Sequence, residues 1–419
     1  MSLVVQKYGG TSVGTTDRIL AVARRLIATK AAGNSVVAVV SAMGDVTDDL
    51  CDLAAAITAE PPEREMDMLL ATGEQVTIAL LAMAIHSLGH DAISFTGPQV
   101  GIVTDAGHGK AKIQEVRADR VREALAEGRI VIVAGFQGST PDGAITTLGR
   151  GGSDTTAVAV AAGIDADVCE IYTDVDGVFT ADPRIEARAR KIDMISYEEM
   201  LEMAASGARV LQLRSVEFAR NHGVVIHVRS SFNDAPGTIV KEADLSMEQA
   251  IISGVTHDTS EAKITVRDVP DRPGVAAEVF TRMAQQNDNV DMIIQNVSEQ
   301  GTTDMSFTTP KEDLVRAKRA AEQVVDELGA RSWLVDESIA KVSLVGAGMK
   351  THPGIAAQMF RALADAGVNI DMISTSSIRI SCVIDGTQVE QAVRALHESF
   401  ALGEAGVSAE VSPGAGGAQ

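Results

Sequence analysis

Residues 3–240 alternate short apolar runs with stretches of helical spacing, and the two periods together predict βαβ units around a largely parallel sheet. The clearest strands are predicted over 3–8, 36–41, 130–135 and 168–173. Between the first two, Ile19, Leu20, Ala23, Leu26 and Ile27 share one face of a helix over 17–32, and Gly33 supplies its stop. Each strand runs into a turn of small or polar residues: Gly9-Gly10-Thr11-Ser12, Ser41-Ala42-Met43-Gly44, Gly135-Phe136-Gln137-Gly138 and Thr173-Asp174-Val175-Asp176-Gly177. Ligands of open α/β sheets bind beyond the carboxyl ends of the strands, so these turns are where chemistry is expected.

The pattern changes at Ala235-Pro236-Gly237 through Met247, which reads as a linker, and beyond it the chain repeats itself. Setting 273–293 against 353–373 gives ten identities in 21 positions, and 263–269 matches 341–347 as a strand. Each copy reads as strand, helix, strand, strand, helix and a final strand, a ferredoxin-like βαββαβ unit of about 70 residues. Helices are expected over 274–286 and 311–328 in the first copy, and over 354–366 and 387–400 in the second. The predicted domains are 1–245, 263–337 and 338–412, with a strand near 250–256 packing beside the repeats. Two such small sheets cannot easily cover themselves, which predicts pairing within the chain or across a dimer.

Composition narrows this picture. A chain of 419 residues can bury two or three cores, and 45% apolar content with only 3% aromatics suits strands buried on both faces by Val and Ala. Only the last few residues read as disordered. Cys51, Cys169 and Cys382 lack metal or redox spacing and read as core thiols of a reducing compartment. No basic leader precedes Leu3, and no apolar stretch approaches the roughly 20 residues that span a bilayer, so a cytoplasmic enzyme is expected. The net charge of −21 argues against nucleic acid and anionic lipid as partners. It also opposes anionic substrates, so lysines, arginines and helix N-termini must overcome it locally.

Lys7 closes the first predicted strand ahead of Gly9 and Gly10, where the backbone can approach an anion closely; the alternative is a solvated lysine before a routine turn. No GxxxxGK[ST] loop occurs. In Gly149-Arg150-Gly151-Gly152-Ser153-Asp154-Thr155-Thr156, an arginine fork and glycine-freed amides meet the start of a small-residue helix. Ser153 or Asp154 could be a plain N-cap, but that leaves Arg150 beside the glycine pair unexplained. Thr72-Gly73-Glu74 precedes a predicted helix reaching Leu88, where Glu74 could serve only as a first-turn acid. The run from Tyr172 to Arg184 can hold a nucleotide or be an ordinary turn-rich loop. The eight histidines show no metal spacing, so no protein-only metal site is expected.

Over essentially its whole length the chain resembles the aspartokinase family, most closely the monofunctional, actinobacterial-like form with two C-terminal ACT domains. The motifs are KYGGTSV (Lys7 to Val13), VVSAMG (Val39 to Gly44), TGE (Thr72 to Glu74), GRGGSDTT (Gly149 to Thr156) and TDVDGVFTADPR (Thr173 to Arg184). The resemblance implies an amino-acid-kinase-type α/β fold, an open, largely parallel sheet sandwiched by helices, followed by two ferredoxin-like ACT domains. It implies transfer of the γ-phosphate of ATP, carried with Mg²⁺ held mainly by the nucleotide, to the β-carboxylate of L-aspartate. That reaction opens lysine, threonine and methionine biosynthesis. Lys7 and Asp154 would be catalytic. Ser41, Thr47, Glu74, Arg150, Gly151, Gly152 and Ser153 would bind aspartate, with Glu74 taking its ammonium. Lys7, Tyr8, Gly9, Gly10, Ser41, Thr173, Asp174, Phe179, Asp182, Arg184 and Arg209 would hold ATP. Phe179 stands where many relatives have Tyr and Arg209 where they have Lys, so charge is kept at 209 but not shape.

The chemistry agrees with the parts, because a carboxylate is already nucleophilic and needs alignment and charge neutralisation more than a base. Another amino-acid kinase would share the glycine-rich loops but would not be expected to join KYGGTSV to tandem repeats. A sensor without activity would not need Lys7, Glu74, Arg150 and Asp154 together. Each repeat sets Pro-Gly at a helix start and Asn-x-Asp at the next strand, a pairing suited to a free amino acid's carboxylate and ammonium. By resemblance the effectors are threonine and/or lysine. Their candidate contacts are Asp271, Pro273, Gly274, Val275, Ala276, Asn289, Asp291, Gln295 and Asn296 in the first copy, and His352, Pro353, Gly354, Ile355, Asn369, Ile370 and Asp371 in the second. A homo-oligomer, or an α₂β₂ assembly with a regulatory chain started near Met247, is implied as well.

Overall fold

The computed structural model describes residues 2–243, 252–285, 289–296, 301–350, 352 and 354–404. The chain divides into two compact units: Met1–Val178 with Lys191–Ala204 and Arg209–Met247, and Phe179–Arg190 with Ala205–Ala208 and Glu248–Gln419. Two short pieces of the predicted 1–245 region thus belong with the repeats. Met247 and Pro353 lie outside the described residues, as does the end of the predicted 338–412 domain.

The first unit is built on eight strands in the order Met194–Ser196, Thr238–Lys241, Ile226–Ser230, Val168–Thr173, Leu3–Tyr8, Ser35–Val40, Ile130–Ala134 and Ala92–Phe95. The last six run parallel, and Thr238–Lys241 reverses against Ile226–Ser230. Ile130–Ala134 is fully buried, as βαβ crossovers covering both faces require. The helix Thr16–Ala31 begins where the Thr15 side chain accepts from the Arg18 amide, and buries Ile19, Val22, Ala23 and Leu26 against the sheet. A second, four-stranded sheet, absent from the sequence expectation, joins Ile113–Val116, Ile102–Thr104, Gln137–Ser139 and Ile145–Thr147. It turns the predicted turn after Gly135 into a strand.

One helix differs more sharply from expectation. Glu63–Ser87 starts behind Pro62, so Thr72-Gly73-Glu74 lies in its middle, and Glu74 is not a first-turn acid. At 25 residues this helix is also long and apolar enough to cross a bilayer by length and composition, contrary to the apolar-run count. Its buried face, however, carries Asp67, Gly73 and Glu74 into the unit's interior.

In the second unit the first repeat forms the sheet Ile293–Gln295, Thr302–Pro310, Glu261–Pro270 and Ser332–Asp336, covered by Val275–Gln285 and Leu314–Leu328 through Val266, Val279, Met283, Phe307 and Val324. The second repeat supplies Ile339–Val345, Arg379–Asp385 and Met372–Thr375, with helices Ile355–Asp365 and Val389–Ser399. Its fourth strand is not a downstream segment of its own copy. Gly254–Asp258 takes that position, antiparallel to Ile339–Val345 with Val255 opposite Leu344. All seven residues of Ile339–Val345 are buried, so its backbone edge needs a partner, and the strand preceding the first repeat provides it. Met292, Ile339, Met372 and Val383 form one apolar cluster between the copies, and Met292 and Met372 are equivalent residues of the repeat.

Candidate active site

Lys7 is placed by register: it lies opposite Val39 on one side and Ile171 on the other, one residue before the strand ends. Its ammonium sits 2.5 Å from Asp154 Oδ1, with both side chains largely buried. Asp154 belongs to the first turn of the helix Gly152–Gly163, where a carboxylate is favoured by the N-terminal dipole. Gly151, at φ +72°, brings the chain into that helix, and a Cβ there would lie 2.0 Å from the Gln212 side chain. Ser41 hydroxyl donates to Ser153 Oγ at 2.9 Å, joining the turn after the second strand to the same helix start.

Glu74 is 3% exposed and accepts a hydrogen bond from the Ala42 amide at 3.1 Å through Oε1. Its Oε2 is buried with no hydrogen-bond partner among the described residues. Burial pushes this carboxyl up to about 7, against the smaller opposing pull of backbone amides. The close approach to Ala42 depends on Gly73, since a Cβ there would stand 2.8 Å from the Ala42 methyl. Thr47 is half-buried in the first turn of Val46–Ala55. Arg150 is exposed and forms no ion pair among the described residues. The unit thus gathers Lys7, Asp154, Ser41 and Ser153, and sets Glu74 beside the turn that Ser41 opens.

The remaining nucleotide candidates are divided. Thr173, Asp174 and Arg209 belong to the first unit, with the Thr173 hydroxyl on Asp174 Oδ1 at 3.1 Å. Tyr8, Gly9 and Gly10 follow Lys7 there, and the Tyr8 ring is buried in a stack on Tyr172. Phe179, Asp182 and Arg184 belong to the second unit, where Arg184 binds Asp182 through Nε at 3.0 Å and Nη2 at 2.7 Å. That pairing holds the Asp182 carboxyl below its ordinary range. The segment is fastened by the Val255 amide on Thr180 O and by the Thr180 hydroxyl beside buried His397 Nε2 at 3.0 Å.

The model of the amino acid kinase family matches residues 2–230, and that of the ACT domain matches 261–324 and 342–400. The aspartokinase of Mycolicibacterium smegmatis is 59% identical over 408 residues, covering 96% of this chain and 97% of the relative. That of Corynebacterium glutamicum is 55% identical over 410 residues, covering 96% and 97%. This chain belongs to the aspartokinase family. The crystal structure of E. coli aspartokinase III in complex with aspartate and ADP matches at a TM-score of 0.81 and 26% identity, covering 95% of this chain and 99% of that one. The same enzyme in complex with lysine and aspartate matches at 0.72 and 26% identity, covering 94% and 99%.

For an aspartokinase, the repeats hold an arrangement that motif reading missed. Lys341, 1% exposed, reaches Glu261 Oε1 at 2.5 Å and Asp291 Oδ2 at 2.6 Å; the equivalent Lys263 reaches Asp371 Oδ2 at 2.8 Å. Each copy's Asn-x-Asp carboxylate is therefore met by the other copy's first-strand lysine. Burial alone would lower the Lys341 ammonium, but Glu261 and Asp291 outweigh it and hold it above the ordinary range. Asn289, Ile370 and Asn369 lead into these two aspartates, whose amides bond to Thr308 O and Val383 O. Gly274 and Gly354 stand at the helix starts with φ +94° and +103°, followed by buried Val275 and Ile355, with Ala276 half-buried behind Val275. Pro273 and Asp271 are exposed, as are Gln295 and Asn296, and His352 Nδ1 donates to Gly348 O at 2.9 Å. The repeated Lys263 and Lys341 were visible in the alignment of the copies, but nothing in one dimension says that they cross over.

Proposed function

We propose that this chain transfers the γ-phosphoryl group of ATP to the β-carboxylate of L-aspartate. The observation that carries the reading is the Lys7–Asp154 pair at a helix N-terminus, set among the strand ends that also bear Ser41 and, through Ala42, the buried Glu74 carboxylate. In this reading a β-carboxylate oxygen attacks the γ-phosphorus as its bond to the bridging β,γ-oxygen breaks, and ADP departs. Lys7 follows the charge on the moving phosphoryl group, and Asp154 aims Lys7. Glu74 receives the substrate ammonium on its unpartnered oxygen, while Arg150 and the amides from Gly151 to Ser153 receive carboxylate. Mg²⁺, held mainly by the nucleotide phosphates, would draw charge from them during transfer. Thr173 and Asp174, at the end of the neighbouring strand, would face the nucleotide, as would Arg209 of the same unit.

The ACT pair would bind threonine and/or lysine between the copies and lower activity, consistent with the aspartokinase III complex with lysine. An ADP-release assay with aspartate against glutamate tests the catalytic reading. Turnover with aspartate alone supports it, turnover with glutamate moves the chain to another amino-acid kinase, and none with either leaves a sensor.

A further inference from the structure

We propose that Asp67 and His108 are positioning residues that brace the Gly149-Arg150 turn and so set the affinity and length selectivity for the amino-acid substrate. The proposal rests on the reading of Arg150 as the arm for a substrate carboxylate. Asp67 is completely buried in the first half of the helix Glu63–Ser87. An ionised carboxylate there is costly unless donors surround it. Its donors come from two other segments: the Thr147 hydroxyl at 2.5 Å, the Gly109 amide at 3.1 Å and His108 Nδ1 at 2.6 Å.

All three lead to the arginine turn. Thr147 ends the strand Ile145–Thr147, three residues before Arg150, and its carbonyl accepts from the Ala111 amide at 2.9 Å. Arg214 then ties Leu148 O at 2.9 Å to Ala111 O at 2.6 Å. The Gly109 carbonyl lies 3.0 Å from where a Cβ on Gly149 would stand, so the turn rests directly on the loop that Asp67 holds. Glu74 is on the same helix, seven residues beyond Asp67, which is about 10.5 Å along the axis at 1.5 Å per residue. Asp67, Ala71 and Glu74 are all buried. One rigid helix therefore carries the proposed ammonium site and, through Asp67, the base of the carboxylate arm. The spacing between the two is what distinguishes a four-carbon from a five-carbon amino diacid.

The test compares His108→Leu, His108→Asn and Asp67→Asn, with Arg150→Ala as the reference for the underlying reading. Asparagine can place an amide donor near the position of Nδ1; leucine cannot. In His108→Leu and Asp67→Asn the KM for aspartate is expected to rise about tenfold with kcat and the KM for ATP nearly unchanged, because a displaced arm weakens binding more than chemistry. The preference for aspartate over glutamate should fall with it, and His108→Asn should restore both. A His108→Leu enzyme with wild-type aspartate KM and selectivity, beside an Arg150→Ala enzyme that has lost them, overturns the brace. If Arg150→Ala itself leaves aspartate KM unchanged, the reading of the arm fails first and takes the brace with it. Should Asp67→Asn not fold, the partly exposed His108 ring still decides the matter.

Discussion

Glu74 keeps one oxygen on the Ala42 amide and the other buried, with no hydrogen-bond partner among the described residues, and this burial ties Glu74 to pH. Its folded pKa, raised by burial to about 7 from 4.5, means that the folded state holds a proton the unfolded chain has released. Stability from this group is therefore full below about pH 4.5 and is lost as pH climbs through 7, a difference of roughly 3 kcal/mol. Glu74→Gln should remove that slope, so its melting temperature relative to wild type should rise between pH 5 and 8; an unchanged gap would show that Glu74 titrates normally. Aspartate kcat/KM of the wild type should also fall below pH 7, because a protonated Glu74 cannot pair with an ammonium. For Lys7→Ala, kcat is expected to drop about 10²- to 10³-fold, the scale of losing one donor to transition-state charge, with a folded circular-dichroism spectrum. Near-normal turnover in that variant would remove Lys7 from the phosphoryl path.

At the scale of elements, the two lysine–aspartate crossings look equivalent by repeat but differ in burial. Lys341 is 1% exposed, with Glu261 Oε2 already lacking a hydrogen-bond partner among the described residues, whereas Lys263 is 19% and Asp371 38% exposed. Removing a buried cation strands two carboxylates, so Lys341→Met should cost about 3–5 kcal/mol. Lys263→Met breaks a wetter pair and should cost about 0–1 kcal/mol. Thermal unfolding of both variants measures this directly, and equal losses would mean that burial is not what separates them. The same elements mark where one-dimensional reading stopped. The helices of both repeats were legible from apolar spacing, within two or three residues of their observed ends. A strand near 250–256 was legible beside the repeats, but not its place as the fourth strand of the second sheet, because a strand's partner is chosen by which edge is free and not by sequence order.

At the scale of the whole molecule, regulation requires an effector to bind one arrangement better than the other, and a tenfold preference corresponds to about 1.4 kcal/mol. Activity measured across a matrix of threonine and lysine concentrations should fall with threonine, alone or with lysine. Asp271→Ala or Asn369→Ala should relieve that inhibition and leave uninhibited turnover nearly unchanged. A flat wild-type response would end the feedback proposal.

Sequence alone determined the alternating α/β pattern, the tandem repeat and the glycine-rich turns at strand ends, because each is a local matter of period, backbone freedom and composition. It also held the motifs through which Lys7, Glu74, Arg150 and Asp154 could be named. Tertiary structure alone decided that Glu74 lies mid-helix with a buried carboxyl, that Asp67 gathers His108, Gly109 and Thr147, and that Phe179–Arg190 folds with the repeats. Those facts depend on desolvation and on which distant donors reach a buried carboxylate. Both are properties of packing in three dimensions, and no spacing along the chain encodes them.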